Sequence, residues 1–298
     1  MTNPHQRYPI YVPTKGRYNY LYTIRNLQKM NALFYAIVEE QEYELYAQKV
    51  DKKNLLILDN SFKKAYQTLD NRGGSISYGS GPARNFAWQH AKDSKAPWHW
   101  VMDDNIRNFR IHDNNRKLRI YNTSFFRVME QFVERYSNIA MAGPQYSCFV
   151  PRKSRRNLFI LNTRIFSCNL IRTNLPYRWR GRYNEDTILS LDMLTDGWCT
   201  VLFYPFLQEK MTTQSVPGGN TSEIYSQGTA NKSRMLFETY PQYVRKVVRF
   251  GRPHHLINFK QFKQQLKREE RYDEIVASQP PITFTTSDIT DLSSIATR

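Results

Sequence analysis

Tyr8-Pro-Ile-Tyr-Val-Pro13, Phe34-Tyr-Ala-Ile-Val38 and Asn54-Leu-Leu-Ile-Leu58 are three short apolar runs. Each stops at a polar turn: Thr14-Lys-Gly-Arg17, Glu39 and Asp59-Asn60. Between the first two, Leu21, Ile24, Leu27 and Gln28 keep helical spacing, and Glu42–Val50 reads as a second helix. Strand and helix therefore alternate, which predicts βαβαβ order and a mostly parallel sheet. A further helix over Ala83–Lys92 leads into the strand Trp98-His-Trp-Val-Met102, whose carboxyl end is Asp103-Asp104-Asn105.

Beyond this point the pattern changes. Asn108–Tyr121 reads as a polar hairpin, Ser124–Tyr136 as a helix and Ile139–Gly143 as a strand. Leu158–Ile171 holds two strand-like runs, Glu185–Gly197 a helix and Thr200–Tyr204 a strand. Met211–Lys232 is rich in Gly, Ser, Thr and Asn and reads as a flexible loop. Tyr243–Val248 and Lys260–Tyr272 are expected to be helical. The expected architecture is one α/β domain over 1–278, with a mostly parallel half near 8–107 and a second half near 108–278 carrying a smaller mixed sheet. Residues 279–298 form a polar tail with no expected order.

Composition narrows the class. The 298 residues suffice for a substantial core, and no apolar stretch reaches the length of a membrane span. The polar start at Met1–Arg7 lacks a secretory signal, and Cys148, Cys168 and Cys199 lack metal-site spacing. A cytoplasmic protein with reduced thiols is expected. The formal charge of +17 implies attraction to polyanions. No Asp or Glu occurs from Tyr136 to Asn184, whereas Arg152, Lys153, Arg155, Arg156, Arg164, Arg172, Arg178, Arg180 and Arg182 do. A second basic cluster holds Arg245, Lys246, Arg249, Arg252, Lys260, Lys263, Lys267 and Arg268. Such one-sided blocks favour DNA or another nucleic acid as partner. Trp179 and Tyr183, interleaved with Arg178, Arg180 and Arg182, are candidates for stacking on bases.

Ligands of open α/β sheets bind at the carboxyl ends of the strands. Those ends supply Thr14, Lys15, Arg17, Glu39 and Asp59 as candidate nucleotide contacts, although Asp59 serves a turn or helix cap equally well. Adjacent Asp103 and Asp104, with Asn105, offer the hard oxygen ligands that Mg²⁺ or Mn²⁺ takes beside a diphosphate. Asn184-Glu185-Asp186 opens a helix, where acids favour the dipole or supply a general base. Gly79-Ser-Gly-Pro-Ala-Arg84-Asn85 is similar to a phosphate-binding turn but fits no established fingerprint. His254-His255 is a possible imidazole ligand pair.

Taken together, the strand and loop Pro9–Arg17, Glu39, Asp103-Asp104-Asn105 and Asn184-Glu185-Asp186 resemble GT-A glycosyltransferases. The last two correspond to the DxD and xED motifs. Val12-Pro-Thr-Lys-Gly-Arg17, Gly81-Pro-Ala-Arg-Asn85 and Met102-Asp-Asp-Asn105 more narrowly resemble the TET-associated glycosyltransferase family. The resemblance implies a mainly phage-borne enzyme that moves sugar from a UDP-sugar to 5-hydroxymethylpyrimidines, such as 5-hydroxymethylcytosine, in DNA. It implies that Thr14, Arg17 and Glu39 contact the nucleotide, that Arg84 reaches base or diphosphate, and that Asp103 holds ribose or metal. Asp186 would be the base of an inverting reaction on a flipped-out nucleotide. Asn105 departs from the motif's third acid, so Asp104 would carry the metal, with His254 or His255 as a further ligand. A nucleotidyltransferase of similar fold, or a non-catalytic nucleic-acid-binding protein, are the alternatives.

Overall fold

The computed structural model describes residues 6–70, 78–153, 157–211, 230–249, 251–284 and 288–290. The predicted alternation is found as β1 (Ile10–Pro13), α1 (Tyr22–Lys29), β2 (Phe34–Val38), α2 (Tyr43–Ala47) and β3 (Leu55–Ile57). Then follow α3 (Ser61–Lys64), α4 (Gly81–Asp93) and β4 (Trp98–Met102). Strands β3, β2, β1 and β4 lie side by side, all parallel, with Ile10 opposite both Phe34 and Trp100.

Period-two alternation sends the side chains of these strands into two apolar layers. Ile10, Val12, Trp100 and Met102 join one core with Ile24 and Leu27 of α1. Tyr11 and Val101 join the other with Ala83, Ala87, Trp88 and Ala91 of α4. Strands buried on both faces must be largely apolar, and in Trp98–Met102 the polar His99 is buried with its Nδ1 bonded to Thr173 Oγ1 at 2.9 Å.

The same sheet continues past β4 and becomes mixed. The hairpin β5 (Ile106–Asp113) and β6 (Arg116–Ile120) turns at Asn114 and Asn115, both with positive φ. That conformation suits asparagine in a tight hairpin turn. Helix α5 (Ser124–Glu134) follows, then β7 (Ile139–Tyr146), β8 (Phe159–Leu161), β9 (Cys168–Arg172), α6 (Glu185–Thr195) and β10 (Cys199–Lys210). The order across the sheet is β6-β5-β10-β7-β9-β4-β1-β2-β3, with β8 beside β10. Strand β7 runs parallel to β10, while β9 runs antiparallel to both β4 and β7. Helix α5 completes the first core through Phe125, Phe126 and Met129, and α6 the second through Leu189 and Met193. This is an α/β, GT-A-like architecture.

A third, smaller core forms where α7 (Ala230–Thr239) and the hairpin β11 (Val244–Arg249) and β12 (Arg252–Ile257) pack onto α6. This hairpin is a separate sheet. Val244–Arg249 is therefore strand where a helix was expected over 243–248: three of its six residues are β-branched valines. Lys260–Tyr272 is likewise not helical beyond the short turn Phe259–Gln261. It runs extended, with Phe262, Gln264 and Leu266 turned inward and Lys263, Gln265 and Lys267 outward. Side chains of Asn162 and Asn138 bond its carbonyls at Gln264 and Gln265, both at 2.8 Å.

Helix α8 (Tyr272–Ser278) precedes the expected tail, part of which is docked. Gln279 and Pro280 exchange hydrogen bonds with Gln131 of α5 at 2.9 Å, and β13 (Ile289–Thr290) pairs with β6. Most of the loop expected over Met211–Lys232 lies outside the described residues. Among the described residues no helix is long and apolar enough to cross a membrane.

Candidate active site

Three elements deliver charge to the carboxyl edge of the parallel strands. Strand β4 ends at Asp103 and Asp104, α4 carries Arg84 in its first turn, and α6 begins with Glu185 and Asp186. Arg84 ties them together. Its Nη2 donates to Asp103 Oδ1 and its Nη1 to Asp186 Oδ1, each at 2.6 Å. Glu185 Oε1 lies 3.9 Å from Nη2, and Ser80 bridges the two groups, accepting from Arg84 Nε at 3.1 Å and donating to Glu185 at 3.0 Å. The guanidinium also sits over the Trp179 ring, 4.5 Å from its centroid.

The acids are not equivalent. Asp186 accepts from Ser167 N–H and Asn169 Nδ2, both at 3.1 Å, as well as from Arg84. Burial favours the neutral form of Asp103, but Lys210 and Arg84 outweigh it and bring its carboxyl down to about 2. Burial raises the Glu185 carboxyl despite Arg84. Burial also raises Asp104, against the opposing pull of Arg17.

Asp104 faces away from this cluster, toward the first strand's loop. It accepts from Thr14 Oγ1 at 2.9 Å and pairs with Arg17, while Tyr46 OH braces Thr14 at 2.9 Å. Glu39 pairs with Lys15 at 3.9 Å and with Lys63. Asp59 is exposed and caps the Ser61 N–H at 2.8 Å, which is its turn role. The structure thus groups Arg84, Asp103, Glu185 and Asp186, sets Thr14, Arg17 and Asp104 behind them, and leaves Asp59 outside.

The expected metal finds no fitting donor set. Among the described residues no three His, Cys, Asp or Glu side chains are grouped to hold an ion. Both oxygens of Asp103 are taken, Oδ1 by Arg84 and Oδ2 by Lys210 Nζ at 2.5 Å. Both oxygens of Asp104 are taken by Arg17 and Thr14. Asn105 Oδ1 is buried without a partner among the described residues, but it is one neutral oxygen. His254 is exposed, whereas His255 turns inward toward Ser233. Burial, Lys232 and Arg164 bring the His255 imidazole down to about 4, so its surroundings are cationic.

The arginines expected at DNA are largely spent inside the fold. Arg182 is 2% exposed and pairs with Asp70 at 2.7 Å. Arg180 pairs with Asp192 at 2.6 Å, and Arg178 lies over Trp88. Trp179 and Tyr183, each 1% exposed, offer no face for stacking. Arg152 is exposed, and Arg155 and Arg156 lie outside the described residues.

Two partners escaped the sequence reading. Ser167 donates its N–H to Asp186 and its carbonyl accepts from Asp103 N–H at 2.7 Å. Lys210 was hidden because β10 runs well past Tyr204, through Pro205 and into a charged end.

The sheet is of the GT-A type, and its carboxyl edge gathers paired acids around a buried arginine, which makes it the candidate ligand site. The chain belongs to the TET-Associated Glycosyltransferase family, whose model matches residues 8–219. It is therefore a glycosyltransferase. The match ends before α7 and the β11–β12 hairpin, and so excludes both histidines. No curated protein matches the chain.

Proposed function

We propose that the protein transfers a sugar from a UDP-sugar to the hydroxymethyl group of 5-hydroxymethylcytosine in DNA, with inversion at the anomeric carbon. The observation that carries this reading is the Arg84 clamp, which sets a guanidinium between Asp103 and Asp186 at 2.6 Å from each. A cation for the leaving diphosphate and a carboxylate for the acceptor proton thus stand side by side. Thr14, Lys15, Arg17 and Glu39 line the neighbouring strand ends, where the nucleoside would lie.

In the reaction, the acceptor oxygen bonds to the anomeric carbon and the bond to the diphosphate oxygen breaks. The bonding pair leaves with the diphosphate, and the hydroxyl proton passes to Asp186. Single-step displacement inverts the configuration. No step passes through a metal, because the carboxylates that would hold one are already paired.

Hydroxymethylcytosine-containing duplex incubated with a panel of nucleotide sugars, then digested for mass spectrometry, tests the reading. A hexose added to the modified base from a UDP-sugar is expected. Transfer to protein or small acceptors, with hydroxymethylated DNA untouched, would overturn the acceptor assignment.

A further inference from the structure

We propose that the Lys210 ammonium, with Arg84 beneath it, supplies the positive charge for the leaving diphosphate, and that donor binding and transfer proceed without a divalent ion. This inference rests on the nucleotide-sugar donor proposed above.

Charge balance is the first argument. Asp103, Asp104, Glu185 and Asp186 contribute four negative charges when ionised, and Arg17, Arg84, Lys210 and Lys232 four positive ones. Before the donor binds the cluster sums to zero, so it has no excess of acid to hold a dication ahead of the diphosphate. Magnesium and manganese also demand about six oxygen ligands, most of them waters or unpaired carboxylates. Here Asp103, Asp104 and Asp186 offer only oxygens already accepting hydrogen bonds.

Position is the second argument. Lys210 ends β10 at an irregularity where Glu209 pairs with Asn108 but Lys210 with Ile106, so Arg107 of β5 is skipped. Bulges of this kind re-aim side chains. Lys210 and the buried Gln208 share one strand face, and Gln208 Nε2 anchors to the Phe166 carbonyl at 2.8 Å. Lys210 Nζ then reaches Asp103 Oδ2 at 2.5 Å and Ser167 Oγ at 3.0 Å. An ammonium carries three N–H donors. The third has no partner among the described residues. The Lys210 side chain is 18% exposed, against 3% for Arg84, so of the two cations on Asp103 Lys210 is the one that borders solvent. Burial opposes its charge, but Asp103, Tyr146 and Asp186 outweigh burial and hold the ammonium above its usual range. It stays protonated at any working pH.

As the anomeric bond breaks, its electron pair moves onto the departing phosphate oxygen, which gains one negative charge. The third N–H of Lys210 meets that charge. The ammonium keeps its proton, and the acceptor's proton goes to the carboxylate on the other side of Arg84.

The test measures UDP binding by calorimetry, with GDP and ADP alongside, in EDTA and in Mn²⁺, together with transfer under both conditions. Equal UDP affinity and sustained transfer in EDTA are expected. Lys210→Ala should weaken UDP about 10- to 100-fold while leaving uridine unchanged. Its transfer should fall about 10²- to 10³-fold, and Lys210→Arg should restore most of both. Binding or transfer that occurs only with Mn²⁺ or Mg²⁺ would overturn the proposal, as would a Lys210→Ala protein that binds UDP normally. Should no nucleoside diphosphate bind with or without metal, the donor reading falls first and takes this one with it.

Discussion

Arg84 contacts three carboxylates, and the proposed mechanism assigns the acceptor's proton to one of them, Asp186. Asp103 carries Lys210 as well as Arg84 and is the phosphate-side acid. Asp186 is oriented by Ser167 and Asn169 and lies across Arg84 from it. Asp186→Asn keeps the shape and removes the proton acceptor, so transfer should fall about 10²- to 10⁴-fold with UDP affinity retained. Glu185→Gln should lose less. Burial raises Glu185, so it stays protonated to higher pH than an exposed glutamate and ionises as pH rises. Its removal should therefore erase any part of the acid limb above the ordinary carboxylate range. A pH–rate profile of both variants checks this, and a larger loss in Glu185→Gln would exchange their roles. At this scale the position of Asp103 and Asp104 was legible, because they directly follow the apolar run Trp98–Met102, whereas Arg84, Glu185 and Asp186 come from helix starts. Trp179 and Arg182 were misread, since alternation of arginine with aromatics does not say which side packs inward.

Two residues with positive φ, Gly181 and Asn184, precede helix α6. Gly181 has φ +89°, donates its N–H to Gln67 O and accepts from Tyr66 OH, both at 2.8 Å. Asn184 then enters the left-handed region at φ +57°, and the helix begins at Glu185. A methyl at Gly181 would lie 2.4 Å from Ile188 Cδ1 and 3.1 Å from Tyr183 O. Gly181→Ala should cost about 1–3 kcal/mol in urea unfolding and lower transfer by shifting the acid pair. An unchanged midpoint would show that the loop relaxes without strain. The parallel half was readable because buried strands are short, apolar and separated by helices. The C-terminal elements were not. Val244–Arg249 and the extended run after Gln261 are rich in Lys, Arg and Gln, which carry helix propensity. Their structure is set instead by docking on α6 and on the Asn138 and Asn162 side chains.

Across the whole molecule the charge of +17 must be divided between internal and outward cations. Arg180 and Arg182 are consumed by Asp192 and Asp70, so the acid-free block contributes less to the outer field than its sequence suggests. Lys263 and Lys267 on the extended run, Lys260 in the turn before it and Arg245 on β11 are, by contrast, exposed. No acid is paired with any of these four among the described residues, so, on the proposed DNA acceptor, they are candidates to meet its phosphates. Each phosphate contact releases condensed counterions, giving a slope of about 0.9 in log affinity against log salt. Reversing Lys260, Lys263 and Lys267 to Glu should therefore weaken DNA binding and flatten the salt slope by up to about 0.9 for each phosphate left without its lysine. UDP affinity and the unfolding midpoint should hold, because these side chains make no buried contact. Arg182→Glu is the opposing control. It places an acid against Asp70 in a buried site, so it should lower stability by about 3–5 kcal/mol before any effect on DNA can be read. Filter binding across a salt series, with urea unfolding of each variant, separates the two. A triple variant that keeps the wild-type slope would move the DNA surface off this run and back toward the Arg152 side.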